Sequence, residues 1–304
     1  MSYTFSKILS FKKEINQWLE LFEACFGKRS NLNKEWYYWY NTLYRDNNIF
    51  IVKDKNKIIA SYGLYPLNLN FKNTPKQGYL CHNVMTHPEY AGQGLFTKLG
   101  KYAISNVSKD SILIGIPNSN AIRGHYKVGW QEMPNINFYT KTSFKNYNHN
   151  FTPIDKFYKK DNEKINNFLS KYNFSLKKNS NYLNWRYSTR PHIKYKIYKS
   201  NPFTSYVVLK HFIEENKLHI VDYGYDTDND FINIIKFSES LAFKLKVNIL
   251  NLWNINTKEQ KTLLKYSFFK DSNFNKFILY NNNIKFNNEN LDNWCINLGD
   301  NDVY

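Results

Sequence analysis

Around Cys81 the chain passes from an apolar stretch, YLCHNVM, through THPEYAGQGLF into a segment where Leu95, Leu99, Tyr102, Ala103 and Val107 recur at intervals near one helical turn. This order predicts a strand, a glycine turn and an amphipathic helix in direct succession. Gly92 and Gly94 carry no Cβ, so the turn can take backbone angles closed to other residues and let a bulky anion approach the main chain. The amides of Gly92 to Phe96 then face outward at the helix start, where unpaired N–H groups and the positive dipole end favour phosphate. The stretch reads as an anion cradle. The competing reading is that two glycines in a tight strand-to-helix turn serve chain geometry alone.

The residues beyond the helix weigh toward the first. A second apolar run, SILIGIP, leads into NSNAIRGHYKVGW, which predicts a polar turn, a short helix and a Gly-aromatic stop. The succession resembles the GNAT superfamily of acyl-CoA-dependent N-acyltransferases, whose central motif is strand, Gln/Arg-x-x-Gly-x-Gly/Ala, helix, strand, Asn-x-x-Ala, then a Tyr before Gly-Phe. Gly92 and Gly94, Asn118 and Ala121, and Gly129 with Trp130 stand at the matching positions. Two positions depart from the pattern. Glu89 stands where the family has Gln or Arg, and its carboxylate would repel a diphosphate that it faced. Counted from Asn118, the family's Tyr falls on His125, with Tyr126 one residue further.

The resemblance implies transfer of an acetyl group from acetyl-CoA to a primary amine, with no metal. Carried over by position, main-chain groups of Val84, Met85 and Thr86 meet the pantetheine arm. Ala91, Gly92, Gln93, Gly94, Leu95 and Phe96 hold the diphosphate, and Asn118 bonds the arm from the opposite lip. An amine with a pKa near 10.4 is neutral about once in a few thousand molecules at pH 7. A general base or a water relay is therefore expected. His82, on the strand, is one candidate base, and its competing reading is a packed histidine. His87, beside Pro88, reads mainly as a turn residue. His125 and Tyr126 compete for the thiolate-protonating role, and a strand amide near Met85 would meet the oxyanion.

Composition bounds the rest. At 304 residues with 42% hydrophobic residues the chain fits one large or two ordinary globular domains. A net charge of +17 attracts polyanions, yet no run of five basic residues, zinc-finger spacing or RNA-binding aromatic signature occurs, so nucleic acid is an unfavoured partner. The three cysteines are scattered and lack a C-x-x-C, which argues against a disulfide framework and for a reducing compartment. Neither a signal-peptide core nor an apolar span of ~18 residues is present, so a cytoplasmic protein without membrane partnership is expected. Homo-oligomers are left open.

Before the cradle, Ile15, Trp18, Leu19 and Phe22 predict a helix ended by Gly27. Trp36, Trp39, Tyr40 and Leu43 predict a second. Its aromatic cluster reads as core packing, with Tyr37 or Tyr38 on the other faces able to touch substrate. NIFIVKD and IIASYGLYPLNLNF predict a hairpin.

After residue 145 a polar stretch, 146–170, reads as a connector, and 171–304 repeats the plan of 1–145: helix, three strands, helix, strand, helix, strand. Where the first half has AGQGLF the second has GYDTDNDF, whose Asp226, Asp228 and Asp230 would repel a diphosphate; Asp228 reads as a helix cap. A calcium loop is a weak alternative, lacking the glycine and glutamate it requires. The expected fold is mixed α/β, an α+β mixed sheet in two GNAT-like three-layer α/β/α lobes, the second a degenerate copy without the cofactor loop. The W-R-Y segment at Trp185 resembles a GNAT branch associated with acylating amino sugars of surface glycans, which makes a small-molecule amine the favoured acceptor. A non-catalytic acyl-CoA-binding regulator, or an enzyme acting on an aminoglycoside or protein amine, is the alternative.

Overall fold

In the computed structural model, which describes residues 3–28, 33–42, 48–72, 74–286 and 291–301, the elements follow the switches of apolar period along the chain. Two units result, one of residues 1–68, 76–133 and 276–287, the other of residues 69–75, 134–275 and 288–304.

The first unit holds strand β1 (Thr4–Lys7), helices α1 (Phe11–Phe26) and α2 (Lys34–Thr42), strand β2 (Asn48–Asp54), most of β3 (Lys57–Phe71) and β4 (Thr74–Thr86), helix α3 (Leu95–Ser105), strand β5 (Ile112–Gly115) and helix α4 (Ile122–Val128). The strands lie in the order β1-β2-β3-β4-β5, with β4 and β5 parallel. One face buries Ala60, Tyr62 and Leu64 of β3 against Leu95, Leu99 and Ala103 of α3. The other is covered by α1, where Trp18 donates its indole N–H to Ser61 Oγ at 2.9 Å and packs edge-on against Tyr37. Sequence alternation along β3 thus sends successive side chains into two helical layers. Gly27, in the left-handed region (φ 75), stops α1 as expected. Trp36, Tyr37, Trp39 and Tyr40 are all buried, which is the core-packing reading of the aromatic cluster; Tyr38 is exposed, and Leu43 lies outside the described residues.

The second unit holds most of β6 (Gln131–Lys141), then β7 (Phe151–Ile154), α5 (Asn162–Ser170), β8 (Phe174–Leu176), α6 (Ser180–Leu183), β9 (Lys196–Ser200), β10 (Ser205–Phe212), β11 (Lys217–Tyr225), α7 (Asp228–Leu245), β12 (Ile249–Asn254), α8 (Thr257–Lys265) and the first part of β13 (Phe269–Tyr280). Its strand order is β6-β12-β11-β10-β9-β7, with β11 and β12 parallel. Val207, Leu209, Leu218 and Ile220 pack on Phe231, Ile234, Ile235 and Ala242 of α7. The stretch 146–170 is not an irregular connector throughout. β7 pairs with β9, and Ile165, Phe168 and Leu169 give α5 a buried face that its many Asn and Lys residues mask in composition.

The run β4-α3-β5-α4 recurs as β11-α7-β12-α8, so the expected mixed α/β repeat is present. The closing strands are exchanged between the two halves of the sequence. In the first unit Leu113–Gly115 of β5 pair antiparallel with Ile278–Tyr280 of β13, and in the second Asn137–Lys141 of β6 pair with β12. Among the described residues, no helix is long and apolar enough to cross a membrane.

Candidate cofactor and catalytic site

β4 and β5 are in register only from Gly78–Cys81 against Ile112–Gly115. β5 ends there, whereas β4 runs on to Thr86, so His82 to Thr86 extend beyond their parallel neighbour. Within that free stretch Asn83 takes a left-handed conformation (φ 47). Its effect is a change of parity. Tyr79 and Cys81 pack on the α3 side, and beyond Asn83 it is Val84 that does so, while His82 and Met85 are buried. This is the signature of a bulge that re-aims the strand's side chains and main-chain groups.

The turn from β4 into α3 is built from short contacts. The His87 amide donates to Ile59 O at 2.8 Å, and the Cys25 thiol donates to Thr86 O at 3.4 Å; burial pushes that thiol up to about 11. The Ala91 amide donates to Pro88 O at 3.1 Å, so this N–H is spent inside the turn. Gly92 and Gly94 have φ 77 and 74, angles that strain any residue with a Cβ, yet a Cβ at Gly92 would meet nothing within 4 Å. The requirement there is backbone shape and outside access, not packing. Gly94 caps α3 without a side chain, and the first helical bond runs from Lys98 N to Gly94 O at 3.0 Å. The amides of Leu95, Phe96 and Thr97 therefore have no acceptor within the helix. Leu95 is buried and anchors the turn, while Gln93 Oε1 accepts from Tyr3 Oη at 2.6 Å and ties its outer side down. Lys98, which no sequence motif marks, lies one turn in, its stem 3.9 Å from where a Cβ on Gly94 would stand. Glu89 is exposed, and its carboxylate lies 3.9 Å from His87 Nδ1.

The candidate catalytic side chains separate sharply. His82 is buried between Tyr40 and Tyr65, accepts from Asn83 Nδ2 at Nδ1 (2.7 Å), and has its pKa pushed down to about 3 by burial. His125 is buried against Phe96 and Trp130, its Nδ1 3.4 Å from Tyr62 Oη, and burial lowers it to about 4. Burial thus favours the neutral form of both rings. Tyr62, not among the residues expected from sequence, stands beside His125 on β3: its fully buried hydroxyl also accepts from Trp130 Nε1 at 3.0 Å. The Gly129–Trp130 stop is the one sequence signal that leads to it. Tyr126, one residue on from His125, is 38% exposed and donates to Glu132, which in turn accepts from Lys276. Burial and then the Glu132 carboxylate raise the Tyr126 hydroxyl to about 12. Asn118 is exposed and its Oδ1 accepts from the amides of Asn120 and Ala121 at 3.1 and 3.0 Å, which holds the turn into α4 and leaves its amide N–H₂ free of these bonds.

In the second half the parallel pair is also short, and its end is filled. β11 and β12 pair only through Ile220 and Leu252, and β11 carries its own irregularity opposite Val208 and Leu209. Between their ends lies the buried Glu259 carboxylate, which accepts from Tyr223 and Tyr225 hydroxyls at 2.6 Å, Tyr172 at 2.8 Å and Asn254 Nδ2 at 2.6 Å. At the start of α7, Thr227 Oγ1 accepts from the Asp230 amide and the Asp230 carboxylate from the Thr227 amide, a reciprocal cap that fills the anion position from within; Thr227, not Asp228, is the cap. Among the described residues no three His, Cys, Asp or Glu side chains gather as a metal site.

Residues 9–133 match the family model described as an acetyltransferase (GNAT) domain. No curated protein matches the chain. Among solved structures it is similar to a GCN5-related N-acetyltransferase from Anabaena variabilis (TM-score 0.70, 13% identity, 93% of this chain and 73% of that one). A GCN5-related N-acetyltransferase from Kribbella flavida gives 0.66 at 10% identity over 91% and 71%. The Saccharomyces cerevisiae N-myristoyltransferase with bound myristoyl-CoA gives 0.63 at 11% identity over 96% and 83%. At these identities the likeness is one of fold.

Proposed function

We propose, from the premise that residues 9–133 form a GNAT acetyltransferase domain, that the chain transfers an acetyl group from acetyl-CoA to the primary amine of a small molecule such as an amino sugar. The observation that carries the reading is the open, glycine-built turn at the head of α3, with unpaired amides beside a strand that outruns its parallel neighbour. In this reading the amides from Gly92 to Phe96 hold the diphosphate, with Lys98 adding a cation. The Ala91 amide takes no part, since it is already bonded. The pantetheine arm pairs with the free edge of Val84, Met85 and Thr86, and the Asn118 amide bonds it from the other side. A main-chain N–H near Met85 meets the oxyanion as the amine lone pair attacks the thioester carbon.

The C–S bond then breaks toward the thiolate. With its pKa at about 12, Tyr126 serves that thiolate as a hydrogen-bond donor in place of Glu132. Neither histidine is basic enough to take the ammonium proton, so it leaves through a relay of ordered water to bulk solvent and the amine attacks in its neutral form. Tyr38, the exposed member of the α2 aromatics, supports an acceptor with a stackable sugar face.

Acetyl-CoA should raise the melting temperature by several degrees at a hundredfold excess over Kd. Gly92→Glu should abolish that shift. Thiol release across amino sugars, aminoglycosides and peptides names the acceptor. A shift with no turnover on any amine would instead identify an acyl-CoA-binding regulator, and no shift at all would sink the cradle.

A further inference from the structure

Because β11-α7-β12-α8 repeats β4-α3-β5-α4, the second unit's counterpart of the proposed arm groove is located by register. The last parallel pair is Cys81 with Gly115 in the first unit and Ile220 with Leu252 in the second, so Val84 on one strand corresponds to Tyr223 on the other. On the opposite lip Asn118 and Asn256 are built alike. The Oδ1 of each accepts from the amides two and three residues on, at 3.1 and 3.0 Å for Asn118 and at 3.0 Å twice for Asn256. Each turn thereby leaves the asparagine N–H₂ for another partner.

In the second unit that partner is the chain's own C-terminal segment. Asn256 Nδ2 donates to Asp292 O at 2.7 Å and to Trp294 O at 3.3 Å. On the other lip Tyr223 O accepts from Asn297 Nδ2 at 3.3 Å, and Asp222 Oδ1 accepts from the same amide at 2.8 Å. Residues 292–297 thus bridge both lips. They arrive as a separate piece, since residues 276–287 belong to the first unit and 288–304 rejoin the second.

The segment is held as a peptide ligand is, by main-chain pairing and by pockets for spaced side chains. Trp294 and Cys295 pair with Phe174 and Ser175 of β8, and the Trp294 ring stacks on Phe174 at 4.4 Å. The Asp300 carboxylate meets the buried Lys178 ammonium at 2.7 Å, which Asp222 also holds at 2.9 Å. Gly299 lies so close to its neighbours that a Cβ there would stand 2.0 Å from Tyr187 Oη. The W-R-Y segment grips this end. Arg186 donates from Nε to Gly299 O at 3.0 Å and from Nη2 to Asn301 O, and Tyr187 donates to Asp222 Oδ2 at 2.6 Å.

We infer that the second unit is a peptide-binding module whose resident ligand is residues 291–301 of the same chain, seated across the lips that correspond to those proposed for the pantetheine arm. The ligand class is an extended peptide with an aromatic anchor followed by Asn, Gly and Asp at the spacing of Trp294, Asn297, Gly299 and Asp300. Pantetheine and peptide both present amides along an extended backbone, so one pair of lips suits either. The second unit's own contacts carry this assignment, and the acyl-CoA reading lends it only a place in the repeat.

The full chain with a specific protease site inserted within residues 288–290 tests it. After cleavage the freed segment should stay bound through gel filtration, and the cut protein should keep its cooperative melt. Fluorescein-labelled peptide 288–304 should then exchange in and saturate, with Gly299→Ala and Asp300→Asn peptides at least about tenfold weaker. These substitutions lie in the peptide, so the protein's fold is untouched by them. Saturating acetyl-CoA should displace no labelled peptide, and Gly92→Glu in the protein should leave uptake unchanged, which separates this site from the transferase reading. Loss of the melt on cleavage, absence of peptide uptake, equal affinity for the Gly299→Ala peptide, or displacement by acetyl-CoA overturns the proposal.

Discussion

A histidine in the middle of a sheet can survive burial by acquiring a carboxylate partner, or by giving up its charge altogether. His82 takes the second course, with Asn83 Nδ2 on its Nδ1 and aromatic rings of Tyr40 and Tyr65 at its edges. His125 does the same among Phe96, Tyr62 and Trp130. Their folded pKa values of about 3 and 4 lie below the unfolded value, so the unfolded chain binds protons that the folded one refuses. The stabilisation is complete above roughly pH 6.5 and is lost as the pH falls toward 4 and then 3, by up to about 1.4 kcal/mol per pH unit for each histidine. Urea unfolding at pH 6.5 and 5 should therefore show a loss about 2 kcal/mol smaller in His82→Gln than in the wild type. An unchanged loss would mean that His82 is solvated. If the variant retains turnover, the acid limb of its kcat/KM profile should keep its midpoint, because a group titrating near 3 cannot set a limb near neutrality.

Element ends tell α3 and α7 apart, and here the sequence was most informative. Glycines at 92 and 94 and Asp230 act on the backbone within a few residues of themselves, so the open and closed helix starts could be read from the chain, whereas Asp226 and Asp228 pair with Lys164 and Lys258. Other features depend on register and tertiary packing, which no local pattern carries. The Asn83 bulge is one, since Asn is unremarkable in a strand until its φ is known. The Glu259 plug is another: its hydroxyl donors come from Tyr172, Tyr223 and Tyr225, far apart in sequence from the helix that bears it. Helix α5 was hidden by Asn and Lys on its solvent face. The plug is testable at this scale. Glu259→Gln puts an amide donor among groups that already donate, and should cost at least about 3 kcal/mol in chemical denaturation. Thr227→Ala should cost about 1 kcal/mol, the usual worth of a lost cap. Neither substitution should reduce the acetyl-CoA thermal shift, and a shift lost in Thr227→Ala would place cofactor at the wrong helix.

For the whole molecule the exchanged closing strands matter most, because they make a sequence repeat differ from a folding unit. The first unit needs residues 276–287 for more than an edge. Ile278 is fully buried among Tyr62, Leu99 and Trp130, and a Cβ on Gly115 would already stand 3.0 Å from it. Asn281 Nδ2 donates to Ser111 O at 2.9 Å, and Gln131 bonds both Ile284 O and the Phe286 amide at 3.0 Å. A chain ending at residue 145 loses all of these and bares the apolar edge of β5, Ile112–Gly115, to other strands. Burial of one isoleucine alone is worth about 1.5–3 kcal/mol, a large share of a domain's net stability. We expect the 1–145 fragment to be insoluble or to lack a cooperative thermal transition. A chain in which residue 133 is joined through a glycine-serine linker to residues 276–287 should recover both the transition and the acetyl-CoA shift. If 1–145 alone melts cooperatively and responds to acetyl-CoA, the borrowed strand is dispensable and the two halves fold as consecutive blocks.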